Sequence, residues 1–534
     1  MGYCPKHIFH VIAMYSFIIL VEYITISKQV SNKDTTANQL KAGYEDSPPF
    51  VSLATIFTII AMTIQLLVLL PVPQIIFNLL GLTFFDAFKK VVKLKNKNSR
   101  QNALVKVDEE RHRVDSSEIL HNQTRPNGIR IDAGDLVKGA EGSNRSSTDY
   151  TSTEDSILIA NRSYHICFRV VTRGLYPDLV RRNLNRNLLT CTSSNLKDFS
   201  FEIVTDTSLD CLTSLNDKRV RQIVVPQNYR SSTGAMFKAR ALQYALEPNT
   251  SPVVEGDYIV HLDEETILTN NSINGILNFT SNKQHSFGQG LIVYMNDEVV
   301  NWITTLADSF RVAEDMGKLR FQFSVLHKPL FGWKGSYVVT KYEAERDVSF
   351  DHGPDGSVAE DCYFSMIALS KGYSFDFIEG EMLEKSPFTI SDAIRQRKRW
   401  LQGFWLVVHS PKIPVRAKLF LAMSCYAWAS LPLTTSSYIL TLIFPISSSP
   451  WIVAISTFCF AVSLYLYIFG LLKSYDLKES VSRGMLVVFM LGQASTLFLN
   501  IVIENIAVVW GLMSSKHHFY IVAKDTGHKN DLEV

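Results

Sequence analysis

Carboxylates at the ends of apolar runs are the residues of this chain most suited to chemistry. The segment Asp257-Tyr-Ile-Val-His-Leu runs directly into Asp263-Glu264-Glu265. Three neighbouring carboxylates without counter-charge repel one another, and a hard divalent cation relieves that repulsion. Oxygen ligands suit magnesium or manganese, so Asp263 and Glu265 are candidate metal ligands, and such an ion can also bridge a diphosphate. The alternative is a solvated acidic loop capping a helix that begins near Asn271 or Ser272. Upstream, Phe-Glu-Ile-Val-Thr ends at Asp206, placed either to accept hydrogen bonds from the N–H groups of a nucleotide base or to form a turn. Between these acids, Gly234-Ala-Met-Phe-Lys238-Ala-Arg240 sets two cations on a helix opened by glycine, either a seat for a pyrophosphate or a solvated basic face.

Further along, Val358-Ala-Glu360-Asp361-Cys puts paired acids at the start of a helix. One could serve as a general base, and a helix cap is the competing reading. Before it, Phe331-Gly-Trp333-Lys-Gly335-Ser336 offers an aromatic and a tight turn, a surface for stacking a sugar ring or simple core. Last comes Gln396-Arg-Lys-Arg399-Trp400 on a basic, aromatic helix. By composition that helix is interfacial, and a cation on it could stabilise charge on a departing diphosphate.

These residues need a scaffold. From Tyr164, β-rich runs (165–171, 201–205, 257–262) alternate with helical ones, such as that around 177–188. Such alternation implies a mostly parallel sheet, whose ligands bind beyond the carboxyl ends of the strands. The remainder of the chain is written for another solvent. Phe9 to Ser27 and Val51 to Leu70 are apolar runs of about the 20 residues that cross a bilayer, and they predict an uncleaved hairpin. Pro71 to Phe85, with two prolines, predicts an interfacial stretch. The cluster Lys89, Lys90, Lys93, Lys95, Lys97 and Arg100 then puts the following domain in the cytosol. Leu419 to Phe444, Trp451 to Leu472 and Met485 to Met513 read as three more spans, with Pro432, Asn500 and Glu504 as points of irregularity. Three passes would put the C-terminus outside, yet the tail carries Lys516, Lys524 and Lys529, so the alternative is that one of the runs is re-entrant or broken.

The resulting organisation is an N-terminal transmembrane hairpin (1–86), a basic then flexible linker (87–160), a catalytic domain (161–385), interfacial helices (386–418), a C-terminal transmembrane region (419–515) and a tail (516–534). Ser, Thr, Asn and Gly dominate 107–156, too little apolar surface to offset chain entropy. Sequons at Asn122, Asn144, Asn161, Asn249, Asn270 and Asn278 would stay unused in a cytosolic domain. Seven scattered cysteines without a Cys-x-x-Cys pair argue against disulfides or thiolate zinc. A net charge of +2 excludes the strongly basic surface of a nucleic-acid protein. None of these patterns encodes an oligomeric state.

Taken in order, Asp206, Lys238/Arg240, Asp263-Glu-Glu265, Glu360-Asp361 and Gln396-x-x-Arg399-Trp400 resemble the family 2 glycosyltransferases. The resemblance implies an α/β GT-A fold, a Rossmann-like mixed sheet, combined with transmembrane helices at both ends. It also implies Asp206 on the base, a Mn2+ or Mg2+ ion at Asp263 and Glu265, Asp361 as catalytic base beside Glu360, and Gln396, Arg399 and Trp400 at the diphosphate and acceptor. Asp-x-Glu stands here where many relatives carry Asp-x-Asp. Segments 170–178, 261–266, 333–340 and 379–382 are similar to the egghead-type β-1,4-mannosyltransferases of invertebrates. That likeness implies transfer of mannose from GDP-mannose to glucosylceramide in glycosphingolipid synthesis, on the cytosolic face of the endoplasmic reticulum or Golgi. It adds Arg173, Lys238 and Arg240 to the donor side, and Trp333, Gly335, Ser336 and Trp400 to the acceptor side. A processive hyaluronan- or cellulose-type synthase using a UDP-sugar is the alternative, and a catalytically silent membrane scaffold is a more remote one.

Overall fold

The computed structural model describes residues 3–40, 59–88 and 164–524, apart from 61, 195, 214, 216, 295–298, 444–448, 477–481 and 517–518. The expected linker over 87–160, the sequons at 122, 144 and 161, and the tail beyond 524 therefore lie outside the described residues, apart from 87 and 88.

The apolar runs of the central region form strands β1 (Ile166–Thr172), β2 (Phe199–Thr205), β3 (Val220–Val224), β4 (Tyr258–Leu262), β5 (Phe287–Val293), β6 (Val338–Lys341) and β7 (Phe375–Leu383). They make one mixed sheet in the order β3-β2-β1-β4-β6-β5-β7. β1 to β4 run parallel, whereas β6 is antiparallel to both β4 and β5. β4 and β5 are buried throughout their length, which is why they read as unbroken apolar runs and not as alternating ones. Phe168 and Phe201, fully buried, stack at 4.9 Å across β1 and β2, and each contributes about 1.5–3 kcal/mol of hydrophobic burial.

Helices α1 (Pro5–Leu40) and α2 (Val72–Phe84) precede the sheet. Within and after it come α3 (Pro177–Ser193), α4 (Phe237–Tyr244), α5 (Asn270–Asn282), α6 (Trp302–Glu314), α7 (Glu360–Ser370) and α8 (Ile390–His409). The C-terminal helices are α9 (Val415–Ala429), α10 (Leu431–Ile443), α11 (Pro450–Asp476) and α12 (Arg483–Met513). α6 joins the two solvents, lying so close to α11 that a Cβ at Gly470 would sit 1.8 Å from the Ser309 carbonyl oxygen. The side-chain amide of Gln402 on α8 donates to the carbonyls of Gly511 and Ser515 at the end of α12, satisfying groups that a helix C-terminus leaves unbonded.

The membrane segments compare with the expectation in three respects. Among the described residues, four helical segments are long and apolar enough to span a bilayer: Pro5–Ser27, Met62–Phe84, Pro450–Tyr475 and Gly484–Met513. The second span thus includes the stretch expected at the interface. Pro71 and Pro73 fall at the start of α2, where the ring replaces an N–H that has no helical partner; the expected start at Val51 lies outside the described residues. Secondly, the broken run among the three is that from Leu419, which divides at Ser430 into α9 and α10, each shorter than a span, with Pro432, an expected point of irregularity, in the first turn of α10. Among the described residues two candidate spans follow the domain, and an even number of crossings is the count that a basic tail calls for. Thirdly, α12 runs unbroken through Asn500 and Glu504, so those polar residues do not interrupt the helix.

Candidate active site

The parallel strands deliver their acids to one edge. β1 and β2 pair in register up to Thr172 and Thr205, and β4 pairs with β1, so Arg173, Asp206 and Asp263 all follow carboxyl ends of adjacent strands. Asp206 takes a hydrogen bond from Arg240 Nη1 at 3.0 Å, and Arg173 Nε lies 4.0 Å away. Lys238 Nζ reaches Asp263 at 2.7 Å, the Gly335 carbonyl at 3.1 Å and Glu360 at 3.7 Å. The two cations of α4 therefore neutralise acids from different strands and are not a free basic face.

Glu360 and Asp361 begin α7. The Trp333 indole donates to the Asp361 carbonyl at 2.7 Å while its ring lies flat on Phe364. Trp333 is buried, and this contact braces the start of α7. Ser336 is buried as well: its hydroxyl meets Thr266 Oγ1 at 2.9 Å and accepts the Asp263 N–H at 3.3 Å, which fixes the turn after β4. Gly335 fills the space beside the acids, since a Cβ there would lie 3.1 Å from Asp361 Oδ2 and 3.3 Å from Lys238 Nζ. α8 presses onto the same helix start, for a Cβ at Gly403 would meet that of Ala359 at 2.5 Å. That approach brings Gln396, Arg399 and Trp400 to the cavity holding Asp263 and Asp361.

The members of the Gln396-x-x-Arg399-Trp400 motif separate in role. Arg399 makes no ion pair among the described residues and sits 4.3 Å over the Phe519 ring. The Gln396 side-chain oxygen is buried without a hydrogen bond. Trp400 is clasped between the guanidinium groups of Arg311 and Arg397, 4.4 and 4.8 Å from its ring.

One contact overturns a premise of the sequence reading. Glu265 is paired with Lys524 from the tail, which also lies 3.6 Å from Glu264. With Lys238 on Asp263, the acidic triplet has partial compensation. Phe519, stacked on Phe237, and Tyr520, bonded to Asp392, hold this tail segment across the site. Lys524 and Glu384, which also lines the cavity, are site residues that sequence reasoning missed. Lys524 stands 259 positions from its partner, so no local spacing announces it.

Among the described residues, acids and cations line the whole cavity in nearly equal number, eleven and ten. At the strand ends, six acids (Asp263, Glu264, Glu265, Glu360, Asp361, Glu384) gather about four cations, Lys238, Arg399, Lys524 and Arg311. Burial, with Asp263, Glu384 and Glu264 adding to it against Lys524, pushes Glu265 up to about 7. Burial and then Asp361 push Glu360 up to about 7, and burial also raises Asp361. Asp263 goes the other way: burial alone would raise it, but Lys238, Lys524 and Arg399 hold it below its ordinary value. This excess of hard oxygen donors fits a divalent cation. Among the described residues no three acid, histidine or cysteine side chains already converge as ligands. Asp263 and Glu265 could supply two oxygens, leaving the rest of the shell to substrate phosphates and water, the common arrangement for magnesium.

The cavity is large, about 1730 Å3, and does not stop at the acids. It continues past Trp400 and Arg397 to Trp428 on α9, Tyr438 on α10, Phe460 on α11 and Phe498 on α12. Candidate catalytic carboxylates and the apolar faces of candidate membrane helices thus line one space.

Comparison with known proteins agrees with this geometry. Residues 258–472 match the profile of glycosyl transferase family group 2. The chain is 43% identical to a β-1,4-mannosyltransferase, egh, of Drosophila melanogaster over 98% of both chains. It is 55% identical to the β-1,4-mannosyltransferase bre-3 of Caenorhabditis elegans over 67% of this chain and 78% of that one; the Caenorhabditis briggsae protein of the same name gives the same figures. A solved structure of S. aureus TarS 1–349 overlaps 68% of this chain and 98% of its own length at 9% identity, with a TM-score of 0.29. With its GT-A catalytic domain and membrane helices at both ends, the chain belongs to the egghead-type β-1,4-mannosyltransferases of glycosyltransferase family 2.

Proposed function

We propose that the protein transfers mannose from GDP-mannose to glucosylceramide with inversion, forming a β-1,4 linkage at the cytosolic face of endoplasmic reticulum or Golgi membranes. The observation that carries this reading is the continuity of the cavity from Asp361 to the apolar faces of α10, α11 and α12. A lipid-linked sugar can enter such a space with its chains among the helices and its hydroxyl at the acids. The β-1,4-mannosyltransferase relatives support the sugar and the linkage.

The chain's own groups support a mechanism. Asp206, with Arg173 and Arg240 beside it, receives the nucleotide base. Asp361 takes the proton of the acceptor hydroxyl as that oxygen attacks the anomeric carbon from the face opposite the leaving diphosphate. Burial raises its proton affinity above that of a solvated aspartate, which makes it the stronger base. Arg399, which makes no ion pair within 4 Å among the described residues though it feels Glu360, Asp361 and Asp263, meets the charge that grows on the departing diphosphate. A Mn2+ or Mg2+ ion held by Asp263 and Glu265 would add electrostatic stabilisation of that diphosphate. The brace from Trp333 and the contact at Gly403 keep acid and cation at fixed separation, which limits the entropy lost on reaching the reactive geometry.

The test is transfer by full-length protein in detergent with manganese, offering labelled GDP-mannose, UDP-glucose and UDP-N-acetylglucosamine separately with glucosylceramide, followed by product sizing. A single mannose added from GDP-mannose alone is the expected result. A long polymer from a UDP-sugar would overturn the reading.

A further inference from the structure

The membrane part of the cavity carries a polar group with nothing to bond. Asn500, on α12, lines the cavity and is only 4% exposed. Among the described residues, neither the oxygen nor the nitrogen of its carboxamide has a hydrogen-bond partner. Leaving such a group unbonded in an apolar wall is unfavourable, and leucine at this position would cost nothing of the kind. One turn nearer the acids on the same helix face, Glu504 shows the contrast. It is held by Arg397 Nε at 3.2 Å and Trp428 Nε1 at 3.0 Å. Four residues separate the two along α12, a rise of about 6 Å.

We infer that Asn500 is a binding residue for the linkage region of a neutral lipid acceptor, where the sugar headgroup gives way to hydrocarbon chains. This rests on the lipid-acceptor reading above and adds which part of the lipid is recognised and by what. The group it fits has both a hydrogen-bond donor and an acceptor, as an amide-and-hydroxyl linkage does, because a carboxamide offers one of each kind. An anionic linkage fits poorly. Arg311, Lys318, Lys334 and Arg397, the cations lining this side of the cavity, each already hold a carboxylate.

The experiment compares the wild-type protein with Asn500→Leu and Asn500→Ser, full-length in detergent, measuring acceptor KM and thermal midpoint. Acceptors are glucosylceramide, whose linkage has an amide and a hydroxyl, and an alkyl β-glucoside, whose linkage has neither. Asn500→Leu should raise the KM for glucosylceramide roughly tenfold, the loss of about 1.4 kcal/mol, and abolish the preference for it over the alkyl glucoside. Its thermal midpoint should hold or rise, since a buried unbonded amide has been removed. Asn500→Ser, which keeps a donor and an acceptor, should retain part of the preference. An unchanged KM for glucosylceramide, an equal rise for both acceptors, or a lowered midpoint with general loss of activity would overturn the assignment and make Asn500 a packing residue. Failure of the wild-type protein to use either glucoside would instead remove the acceptor reading, and this inference with it.

Discussion

Two clusters of charge lie within a few residues of each other along the same strands, and they obey opposite rules. Inside the sheet, Arg169 on β1 faces Glu202 on β2 and His261 on β4 in register. Its guanidinium bonds Glu202 at 2.9 and 3.1 Å and Glu345 at 3.3 Å, while His261 Nε2 lies 2.7 Å from Glu345. All four residues are buried and mutually bonded. Burial alone would raise both glutamates, but Arg169 for Glu202, and His261 then Arg169 for Glu345, bring them below the ordinary range. At the strand ends the balance is reversed, with more acids than cations and a carboxyl, Glu360, lifted to about 7. A closed network stabilises a fold once its partners are all present. The open one holds charge in reserve for a ligand, the usual mark of a functional site.

Removing one group from each cluster should break the two in different observables. Asp361→Asn should lower turnover roughly 10²–10⁴-fold with donor affinity intact, because a proton acceptor is lost and not a donor contact; loss of donor binding in a titration would reassign the residue. Arg169→Met should take the shared guanidinium from two buried carboxylates, leaving Glu202 to Arg221 and Ser251 and Glu345 to His261 and Thr340, and cost about 3–5 kcal/mol of stability, seen as a large drop in thermal midpoint without a specific change in donor affinity. Asp263→Ala should weaken manganese-dependent donor binding about tenfold or more. Unchanged affinity in excess manganese would sink the metal assignment.

The pH dependence sharpens the contrast. An unfolded glutamate titrates near 4.3. Between about 4.3 and 7 the folded protein keeps a proton on Glu360 that the unfolded chain has released. That contribution to stability is therefore present at low pH and lost as pH rises towards 7. Glu202 and Glu345 have the opposite sign: their contribution is present above the unfolded value and lost as pH falls through their depressed ones. Melting curves of Glu360→Gln should show a weaker decline from pH 5 to 7 than the wild-type protein. An identical decline would mean that Glu360 is not the group responsible. The smallest expected effect belongs to the brace: Trp333→Phe removes the bond to the Asp361 carbonyl and should lower turnover by about fivefold, in line with about 1 kcal/mol for one hydrogen bond. Unchanged turnover would leave Trp333 a core residue only.

Much of the fold was legible because it is encoded locally. β1, β2 and β4 lie within two residues of the expected runs, and α3 and α8 arise where the helical patterns stand. The acids appear at strand ends because an apolar run feeding an acidic residue is a neighbour relation, visible in a dozen residues. The membrane boundaries were less legible. Apolar composition cannot say where a run divides; the break at Ser430 stands beside Pro432, whose ring removes a helical N–H, and at no change in hydropathy.

What the sequence by itself determined is the kind of group at each place: hard carboxylates after β2 and β4, a basic aromatic helix after β7, and two solvents along one chain. Only the tertiary structure decided which charges meet. Lys524 on Glu265, Lys238 between Asp263 and Glu360, and Arg169 among three strands are pairings between residues distant in the chain. So is the decision that Glu504 is held while Asn500 is left free. The physical reason is that burial preference is a property of each side chain and its neighbours. The partner that offsets a buried charge is chosen by the geometry of the whole fold.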